Sequence, residues 1–599
     1  MDTIRPVLAA TLMLGGLVTA SALQPSEGPA PSAAAADLVL TGGRIATLAH
    51  GAGFVEALAV KDGLVHATGS DADVLRDVGP ETRVLDLDGR AVVPGLNDSH
   101  LHATRGGRFF NLELRWDGVG SLARGLDMVA AQARRTPPDQ WVRVIGGWSP
   151  FQFAEQRMPT IAELNEAAPE TPVFVLFLYS KGFLNTAGVR ALGLDESTEP
   201  PPGSRYRFVD GGAELLAEPN PTILYKTIGA LPQMSADDQL NSTRHFYRDL
   251  NRFGITSAID AGGGGHGFPA DYTASESLAA AGELPLRLSY HLFPQRPGHE
   301  LEDFRRWTEG YSAGSNGDRL RSGGYVLEGG GEFLVWSAGD FENFLAPQPE
   351  LKVHAEEDLA AVVEHLVRER WPFRIHATYG ESIDRLLDVF AEVDPRRVID
   401  HAETIRPDQI QRIQRMGGGI AIQDRMAFAG EFFAERYGAE AAAFAPPLRE
   451  LVDSGVPLGV GSDATRVSSY NPWVTLSWLV TGRTAGGTRL YPPSNRLTRL
   501  EALRLHTLGS AWISGEELAK GRLVPGQYAD LTVLSDDYFE VPGEAIDDIE
   551  SVLTIVGGDI VYGAAEFADL DSSLPAVSPA WSPVAVFGGY AGAALGDDR

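Results

Sequence analysis

Residues 94–102 read Pro94-Gly95-Leu96-Asn97-Asp98-Ser99-His100-Leu101-His102 and place two histidines, one residue apart, at the end of an apolar strand. Side chains two residues apart in a strand lie on the same face, so both imidazoles can bind one metal ion. The same pattern also occurs in ordinary half-buried strands. The stretch therefore indicates a metal site only if other parts of the chain supply further ligands.

Three further polar residues, His376, His401 and Asp463, end apolar runs in the second half of the chain. From Pro94 to Gly509, short apolar runs alternate with longer helical stretches. This alternation predicts an α/β fold with a (β/α)8 TIM barrel, in which the strand ends deliver catalytic side chains to one face. The runs that we assign to strands include Val142–Ile145, Val173–Leu178, Ile255–Ile259, Leu286–Tyr290, Phe373–His376, Val398–Asp400, Ile420–Ile422 and Leu458–Val460.

The two flanks of this region resemble each other. Residues 37–93 and 510–563 contain short apolar strands separated by turns with glycine, a pattern typical of antiparallel sheets. We expect them to form one small β-sandwich domain, built from both ends of the chain and interrupted by the barrel of residues 94–509. Residues 564–599 are rich in Pro, Ser, Ala and Gly and are expected to be a surface-packed extension or a loose tail.

Residues 1–36 are typical of a signal peptide and linker. Arg5 precedes an apolar stretch from Val7 to Leu23, and small residues follow up to Ala36. The apolar stretch is short for a membrane span and contains two glycines, with a retained N-terminal anchor as the alternative. The sequence predicts an exported protein, periplasmic or extracellular, with no integral membrane span in its mature form.

The composition restricts the partners. A formal net charge of −30 and a pI of 4.8 disfavour binding to nucleic acid or to an anionic membrane surface, because either would be repelled. The chain has no cysteine, so a transition metal would be bound by imidazole and carboxylate groups. A small-molecule substrate is expected, and the sequence leaves homo-oligomerisation open.

Seven motifs occur in order along the chain: PGLNDSHLH, SKGFLNTAG, GITSAIDAG, RIHATYGES, RVIDHAETI, VGSDA and GRLVPGQYADLTVL. From about Asp37 to Gly563 the chain resembles the amidohydrolase superfamily, specifically the amidohydrolase-3 group that includes proteins similar to N-substituted formamide deformylase. The resemblance implies a (β/α)8 barrel inserted into a small β-sandwich. It also implies one or two divalent transition-metal ions, for which zinc is expected.

The resemblance also assigns the ligands. It implies that His100 and His102 bind the first metal ion, that His376 and His401 come from barrel strands five and six, and that Asp463 comes from strand eight. A divalent ion lowers the pKa of its water from 15.7 to about 7, which makes hydroxide available at neutral pH. Asp463 is the expected base and returns the proton to the leaving amine. A helix N-cap is the alternative role for Asp463.

Strand four departs from the common pattern of the superfamily, in which a carboxylated lysine bridges two metal ions. Residues 321–333 contain no lysine, and Glu328 is the natural substitute, as a metal bridge or as a proton shuttle. Strand parity allows Glu328 to point into the barrel. Glu332 is the competitor, because the glycines at 329–331 could form a bulge and shift the register. A glutamate that only forms a salt bridge near the barrel mouth is the remaining alternative.

Three further residues are candidates for substrate binding. Lys181 lies in a segment that resembles the family near the substrate mouth, His266 lies in a glycine-rich loop assigned to the end of strand three, and His291 closes the strand that starts at Leu286. A solvated lysine and a plain mobile loop are the alternatives for the first two. A residue that supports the metal ligands is the alternative for His291.

Together these features predict hydrolysis of a carbon–nitrogen bond other than a peptide bond, such as an N-acyl, N-formyl or cyclic amide. Deamination of a heterocycle, with Glu328 as proton shuttle, is the closest alternative, and esters, carbamates and lactones are open to the same attack. A non-catalytic periplasmic binding protein is disfavoured by the presence of Asp463 and of both histidines in the His-x-His motif. The substrate itself is not predicted, since specificity resides in the βα loops.

Overall fold

The computed structural model describes residues 35–49, 53–314, 324–390 and 397–590. Within these residues, eight parallel strands follow one another around a barrel in chain order, which confirms the predicted (β/α)8 fold. We refer to them as barrel strands one to eight. They are Leu96–Leu101, Ile255–Asp260, Arg287–Leu292, Tyr325–Gly330, Phe373–Ala377, Arg397–His401, Gly419–Gln423 and Leu458–Gly461.

Barrel strands eight and one meet at the mouth of the barrel. The backbone amide of Asp463 donates to the carbonyl of His100 at 2.7 Å, and the amide of His102 donates to the carbonyl of Ala464 at 3.0 Å. Gly461 permits this approach, because a Cβ at that position would lie 2.4 Å from the backbone nitrogen of His100. The first and last strands thus bring His102 and Asp463 together, although 361 residues separate them in sequence.

The helices around the barrel bury one apolar face. In Ala355–Arg368, for example, Leu359, Val362, Val363 and Leu366 are buried at the spacing of a helical face. The helices between barrel strand one and the C-terminus are Ala103–Phe109, Leu122–Ala133, Ile161–Ala167, Thr186–Leu192, Thr222–Ala230, Ala236–Arg252, Thr273–Ala281, Glu300–Gly310, Ala355–Arg368, Gly380–Val389, Pro407–Arg415, Arg425–Tyr437, Ala439–Ala442, Leu448–Ser454, Pro472–Thr481, Arg499–Arg504, Ser510–Ile513 and Val584–Phe587.

Both ends of the chain contribute to a small pair of sheets. The strand Leu531–Leu534 pairs antiparallel with Ala91–Pro94, and side chains such as Leu40 and Leu553 from the two sheets share one core. The predicted β-sandwich built from both ends is confirmed. One sheet contains Leu38–Thr41, Ala57–Lys61, Leu64–Gly69 and Arg83–Asp86; the other contains Arg44–Ala46, Phe54–Val55, Ala91–Pro94, Leu531–Leu534, Ser551–Val556 and Asp559–Gly563. In sequence, the helix Asp71–Val74 lies between the strands Leu64–Gly69 and Arg83–Asp86 of the first sheet.

A further sheet is inserted between barrel strands one and two. Its six strands are Glu113–Leu114, Val142–Ile145, Val173–Phe177, Lys181–Leu184, Ser204–Val209 and Gly212–Ala217. The assignment of Val142–Ile145 and Val173–Leu178 to the barrel was therefore wrong. Both strands are buried along their whole length, as barrel strands are, and an apolar run does not reveal which sheet it joins.

The C-terminal segment packs along the barrel as far as residue 590. The side-chain amide of Asn241 donates to the carbonyl of Ala576 at 2.8 Å, and that of Asn111 donates to the carbonyl of Ser578 at 2.8 Å. The ring of Tyr590 lies 5.4 Å from that of Phe253. For the described part of this segment, these contacts favour the surface-packed extension over the loose tail.

No helix in the described ranges combines the length and the apolar character that crossing a membrane requires. The predicted signal peptide and linker of residues 1–36 lies outside the described residues up to residue 34. Its assignment therefore stays a prediction.

Candidate active site

His100 lies in barrel strand one and is fully buried. Its Nδ1 atom is 3.2 Å from Oδ1 of Asp400 on barrel strand six. Its Nε2 atom has no hydrogen-bond partner among the described residues, yet it lies 3.7 Å from Oε2 of Glu332 and 3.5 Å from Oδ1 of Asp463. Nδ1 also lies 3.1 Å from Nη2 of Arg374, and Nε2 is directed toward the two carboxylates, as in a histidine that binds a metal.

His102 lies directly before the helix Ala103–Phe109. Its Nδ1 atom is 2.6 Å from the carbonyl oxygen of Gly262, and its Nε2 atom is 2.9 Å from Oδ1 of Asp463. Because a carbonyl oxygen only accepts hydrogen bonds, the proton must reside on Nδ1. Nε2 of His102 is therefore the nitrogen available to a ligand, on the same side as Nε2 of His100.

His376 and His401 come from barrel strands five and six and face one carboxylate. Oε2 of Glu332 is 3.0 Å from Nδ1 of His376 and 3.0 Å from Nε2 of His401. Oε1 of the same glutamate is 3.5 Å from Nε2 of His102. With the approach to His100, Glu332 lies within 3.7 Å of all four predicted histidines. The structure thus brings together side chains that the sequence places on separate strands.

The glutamate at this centre is Glu332, the competitor of the predicted Glu328. Barrel strand four shifts its register against strand three and ends at Gly330, so that Glu332 lies beyond the strand. There its amide donates to the carbonyl of Ala261 at 2.6 Å. Glu328 is buried within the strand and belongs to neither group of candidate ligands among the described residues. We therefore correct the assignment of the strand-four carboxylate from Glu328 to Glu332.

Asp463 follows barrel strand eight and links the histidines to an arginine. Its Oδ1 faces His102, and its Oδ2 accepts a hydrogen bond from Nη2 of Arg425 at 2.6 Å. Burial raises the pKa of a carboxyl group, but His102, His100 and Arg425 together hold the pKa of Asp463 well below its usual range. The next helix begins at Pro472, with another residue as its cap, so the N-cap alternative does not apply. Asp463 is an ionised carboxylate at neutral pH.

Arg425, which the sequence analysis missed, begins the helix after barrel strand seven and is 1% exposed. Its guanidinium contacts three carboxylates, Asp463, Glu403 at 3.0 Å and Glu342 at 3.2 Å. Burial lowers the pKa of an arginine, but these carboxylates raise the pKa of Arg425 above its usual range. The sequence does contain an indication of its role, because Arg425 is a charged residue that lies two positions after the buried strand Gly419–Gln423.

A buried ion pair supports His100 from the barrel interior. Nε of Arg374 donates to Oδ2 of Asp400 at 2.7 Å, and Nη1 donates to the carbonyl of Ser99 at 2.9 Å. Burial raises the pKa of a carboxyl group, but Arg374 and His100 lower the pKa of Asp400 below its usual range. Both residues were missed, although charged residues inside otherwise apolar strands, next to His376 and His401, were a visible signal.

The donor set fits a divalent transition metal. Imidazole nitrogen and carboxylate oxygen are the ligands that zinc and its neighbours accept where thiolate is absent. The buried Nε2 of His100 without a hydrogen-bond partner is directed into this set. Burial lowers the pKa of His376, but the carboxylates around it, Glu332 first, raise that pKa to about 9, so the centre attracts positive charge. Two groups of ligand atoms, each within 4.8 Å, are His100, His102 and Asp463, and His100, Glu332 and His401.

A cavity of about 340 Å³, including its opening to solvent, leads to this centre. Besides His102, Glu332, Glu342, His376, Arg425 and Asp463, its wall contains a second arginine and several aromatic rings. These lining residues are Arg105, Tyr179, Tyr225, Phe293, Phe333 and Phe341. The cavity therefore combines an ionic floor with an apolar wall, as small-molecule sites commonly do.

Lys181, predicted to bind substrate, is not among the residues that line this cavity. It begins a strand of the inserted sheet, and its Nζ lies 3.0 Å from Oε2 of Glu214 on the neighbouring strand. Because the ammonium group is neutralised within that sheet, we correct its assignment to a structural ion pair. Tyr179, two residues earlier in the same motif, lines the cavity instead.

His266 and His291 are both buried, and neither lines the cavity. The loop that carries His266 follows barrel strand two, not strand three as predicted. A Cβ at Gly263 would lie 3.1 Å both from Cε1 of His266 and from Nδ1 of His102, so the rings of His266 and His102 both border Gly263. Burial holds the pKa of His291, on barrel strand three, well below its usual value, and Arg374 adds to this effect. His291 is thus a neutral residue of the barrel interior.

Comparison with known sequences gives the family. Residues 83–562 match the sequence model of the amidohydrolase family. The amidohydrolase-family protein YtcJ of Bacillus subtilis is 27% identical over 552 residues, which cover 87% of this chain and 98% of that protein. The N-substituted formamide deformylase of Arthrobacter pascens is 25% identical over 558 residues, which cover 88% of this chain and 98% of the deformylase.

Solved structures show the same fold. An uncharacterized metal-dependent hydrolase from Pyrococcus furiosus superposes with a TM-score of 0.60 at 23% identity, over 84% of this chain and 100% of that chain. The metal-dependent hydrolase predicted from the sequence, acting on carbon–nitrogen bonds other than peptide bonds, is confirmed at the level of the family. With most of its length matched, the chain belongs to the amidohydrolase family.

Proposed function

We propose that this amidohydrolase cleaves the carbon–nitrogen bond of an N-acyl or N-formyl amide. The observation that carries the proposal is the convergence of four histidines and two carboxylates at the barrel mouth, with Glu332 in contact range of each histidine. The deformylase of Arthrobacter pascens is named for N-substituted formamides, which supports an amide of that kind among the carbon–nitrogen bonds.

A divalent metal, for which we propose zinc, would be held by His100, His102, His376, His401, Glu332 and Asp463. Such an ion supplies Lewis-acid activation of water and of the scissile carbonyl. The chain orients two of these histidines for it. The carbonyl of Gly262 accepts from Nδ1 of His102, and Nδ1 of His100 contacts Asp400 and Arg374, so that both Nε2 atoms face the candidate metal site.

Asp463 is the proposed base. Arg425 occupies Oδ2 at 2.6 Å, so Oδ1 remains on the side of His102 and His100. From there it can accept the proton of the attacking water and return it to the nitrogen that leaves. The low pKa of Asp463 keeps the carboxylate ionised between turnovers. Arg425 thus orients the base without itself entering the reaction.

Aromatic rings shield one side of the centre. The ring of Phe333 lies 4.9 Å from that of His376, and the ring of Phe341 lies 5.8 Å from it. Phe333 and Phe341 also stack on each other at 4.8 Å. This wall limits the water that reaches the centre and offers an apolar surface to a substrate side chain.

The test is a substrate screen with metal-loaded protein. We expect amine and acid release from N-formyl and N-acetyl amides, loss of activity on treatment with 1,10-phenanthroline, and recovery when Zn²⁺ is added back. Elemental analysis of the same samples should find at least one transition-metal ion per chain. Full activity in metal-free protein would contradict the proposal. Turnover confined to heterocyclic amines, or to esters and lactones, would reassign the reaction.

We also propose that the protein is exported. The support is the apolar stretch from Val7 to Leu23, preceded by Arg5 and followed by small residues up to Ala36. These residues would be removed from, or anchor, a protein that acts in the periplasm or outside the cell.

A further inference from the structure

Arg105 is a buried arginine that lines the substrate cavity. It lies in the first turn of the helix Ala103–Phe109, three residues after His102, and is 4% exposed. Its Nε and Nη2 atoms have no hydrogen-bond partner, and the guanidinium forms no ion pair with any residue in the described ranges. A buried charge without a partner is costly, so a group that offers this many donors indicates a ligand.

Two nearby cations each have a hydrogen-bond partner in the described ranges, although Arg466, like Arg105, forms no ion pair there. Arg108, one turn further along the same helix, has its ion pair with Asp271 at 2.8 Å and donates to Gln239 at 3.1 Å. Arg466 is also buried, and its Nη1 donates to the hydroxyl of Tyr179 at 3.5 Å. The chain carries a net charge of −30, yet no carboxylate of the described residues lies within ion-pair distance of Arg105, and Asp463 acts on it only from further away.

Arg105 stands at the edge of the metal centre. At Gly263, whose φ is +140°, an added Cβ would lie 3.3 Å from Nη1 of Arg105 and 3.1 Å from Nδ1 of His102. The absence of a side chain at 263 therefore leaves room beside the guanidinium. A molecule whose scissile bond lies against the histidines would bring a group a few bonds away to Arg105.

We propose that Arg105 binds a carboxylate of the substrate, so that the substrates are N-acylated or N-formylated amino acids or similar amides that carry a carboxylate near the scissile bond. Arg–carboxylate pairs can form two parallel hydrogen bonds, which use donors that are otherwise unsatisfied. This assignment rests on the proposed amide hydrolysis and adds the substrate class to it.

The surroundings favour a monoanion. Glu332, Glu342 and Asp463 line the same cavity, and their negative charge disfavours a phosphate dianion more than a carboxylate. The phenol rings of Tyr179 and Tyr225, 5.1 Å apart, also line it and offer hydroxyl donors beside Arg105. Phe293, Phe333 and Phe341 form an apolar wall suited to a side chain next to the carboxylate.

The first experiment measures binding without catalysis. Calorimetry with metal-loaded protein compares 3-phenylpropanoate with 3-phenylpropan-1-ol, two probes that lack a scissile amide and differ in charge. We expect the carboxylate to bind about 10- to 100-fold more tightly, as a charged hydrogen bond provides. Arg105→Gln should remove this preference and Arg105→Lys should reduce it at least about fivefold. Arg108→Gln, whose residue is paired outside the cavity, is the matched control and should keep it.

Two outcomes overturn the assignment. One is equal affinity of the native protein for both probes, which requires no variant. The other is an unchanged preference in Arg105→Gln or, if that variant does not fold, in Arg105→Lys, because the carboxylate would then bind the metal or another group. Circular dichroism and metal content of each variant separate loss of the site from loss of the fold.

The second experiment separates this inference from the proposed function. It compares kcat/KM for N-formylphenylalanine and N-formylphenylalaninamide, each as both enantiomers. Preference for the acid that disappears in Arg105→Gln supports both conclusions. Equal turnover of acid and amide retains amide hydrolysis and refutes the carboxylate site. Carboxylate binding that depends on Arg105, without turnover of any amide, retains the site and refutes the proposed reaction.

Discussion

At the scale of single residues, Glu332 connects the two halves of the centre. Its carboxylate lies 3.0 Å from His376 and from His401, and 3.5 Å from His102. We predict that Glu332→Gln loses at least one metal ion per chain, because a neutral amide cannot offset the charge of the bound cation. Inductively coupled plasma mass spectrometry of purified, metal-loaded protein measures the loss.

Glu328→Gln is the matched control for metal content. It makes the same chemical change four residues earlier in the same segment, inside barrel strand four. We expect it to retain the metal content of the native protein. If Glu328→Gln loses metal and Glu332→Gln does not, the strand-four ligand reverts to Glu328.

Asp463 should matter for proton transfer more than for holding the metal. Asp463→Asn keeps one side-chain oxygen, in place of the two that face His102 and Arg425, and removes the base. We predict that kcat falls by about 10² to 10⁴ while part of the bound metal remains. Steady-state kinetics and metal analysis on one sample test this. Near-native turnover in this variant would place the base elsewhere.

The sequence predicted those site residues that follow from strand ends. His100, His102, His376, His401 and Asp463 each close an apolar run, and this periodicity is a local property of the chain. Glu332 was ranked second to Glu328 because the prediction used only the alternation of side chains along strand four. The register shift of that strand depends on its pairing with its neighbours, which the alternation does not reveal. Arg425 and Arg374 were missed because their partners come from other strands, and only the folded barrel brings them together.

At the scale of elements, two strands were assigned to the wrong sheet. The strands Val142–Ile145 and Val173–Phe177 were recognised as strands, but they pair with the inserted sheet and not with the barrel. Their side chains are buried on both faces in either setting, so hydrophobic pattern cannot distinguish the two. The loop with His266 was also assigned one barrel strand too late.

The contribution of the C-terminal segment to stability can be tested by deletion. Gln132 donates to the carbonyl of Trp581 at 2.8 Å, Arg252 donates to that of Tyr590, and the ring of Tyr590 packs on Phe253. We predict that deletion of residues 572–599 lowers Tm by about 2–5 °C, since these hydrogen bonds and the buried ring are lost. Differential scanning calorimetry measures the shift.

A shorter deletion, of residues 591–599 alone, leaves all of these contacts in the chain and is the control. It should melt as the native protein does. Equal Tm values for the native chain and the deletion of residues 572–599 would show that the packed segment contributes nothing to stability.

At the scale of the whole molecule, export can be checked directly. We predict that protein recovered from its native host begins between Ala22 and Asp37 and lies outside the cytoplasm. N-terminal sequencing and cell fractionation measure this. The double substitution of Leu12 and Leu14 by Asp, which interrupts the apolar stretch, should retain the chain in the cytoplasm. Protein that begins at Met1 would contradict cleavage, and recovery in the membrane fraction would favour the anchor.

The sheet that joins both ends of the chain also affects when the chain can fold during its synthesis. Arg90 donates to the carbonyl of Leu534, and 444 residues separate this pair. At 5–20 residues per second, a ribosome delivers the second partner roughly 20–90 s after the first. Until then the strand Ala91–Pro94 lacks its neighbour Leu531–Leu534 and exposes an open edge. The nascent chain therefore cannot reach its native state before synthesis is almost complete, and aggregation competes with folding throughout that interval.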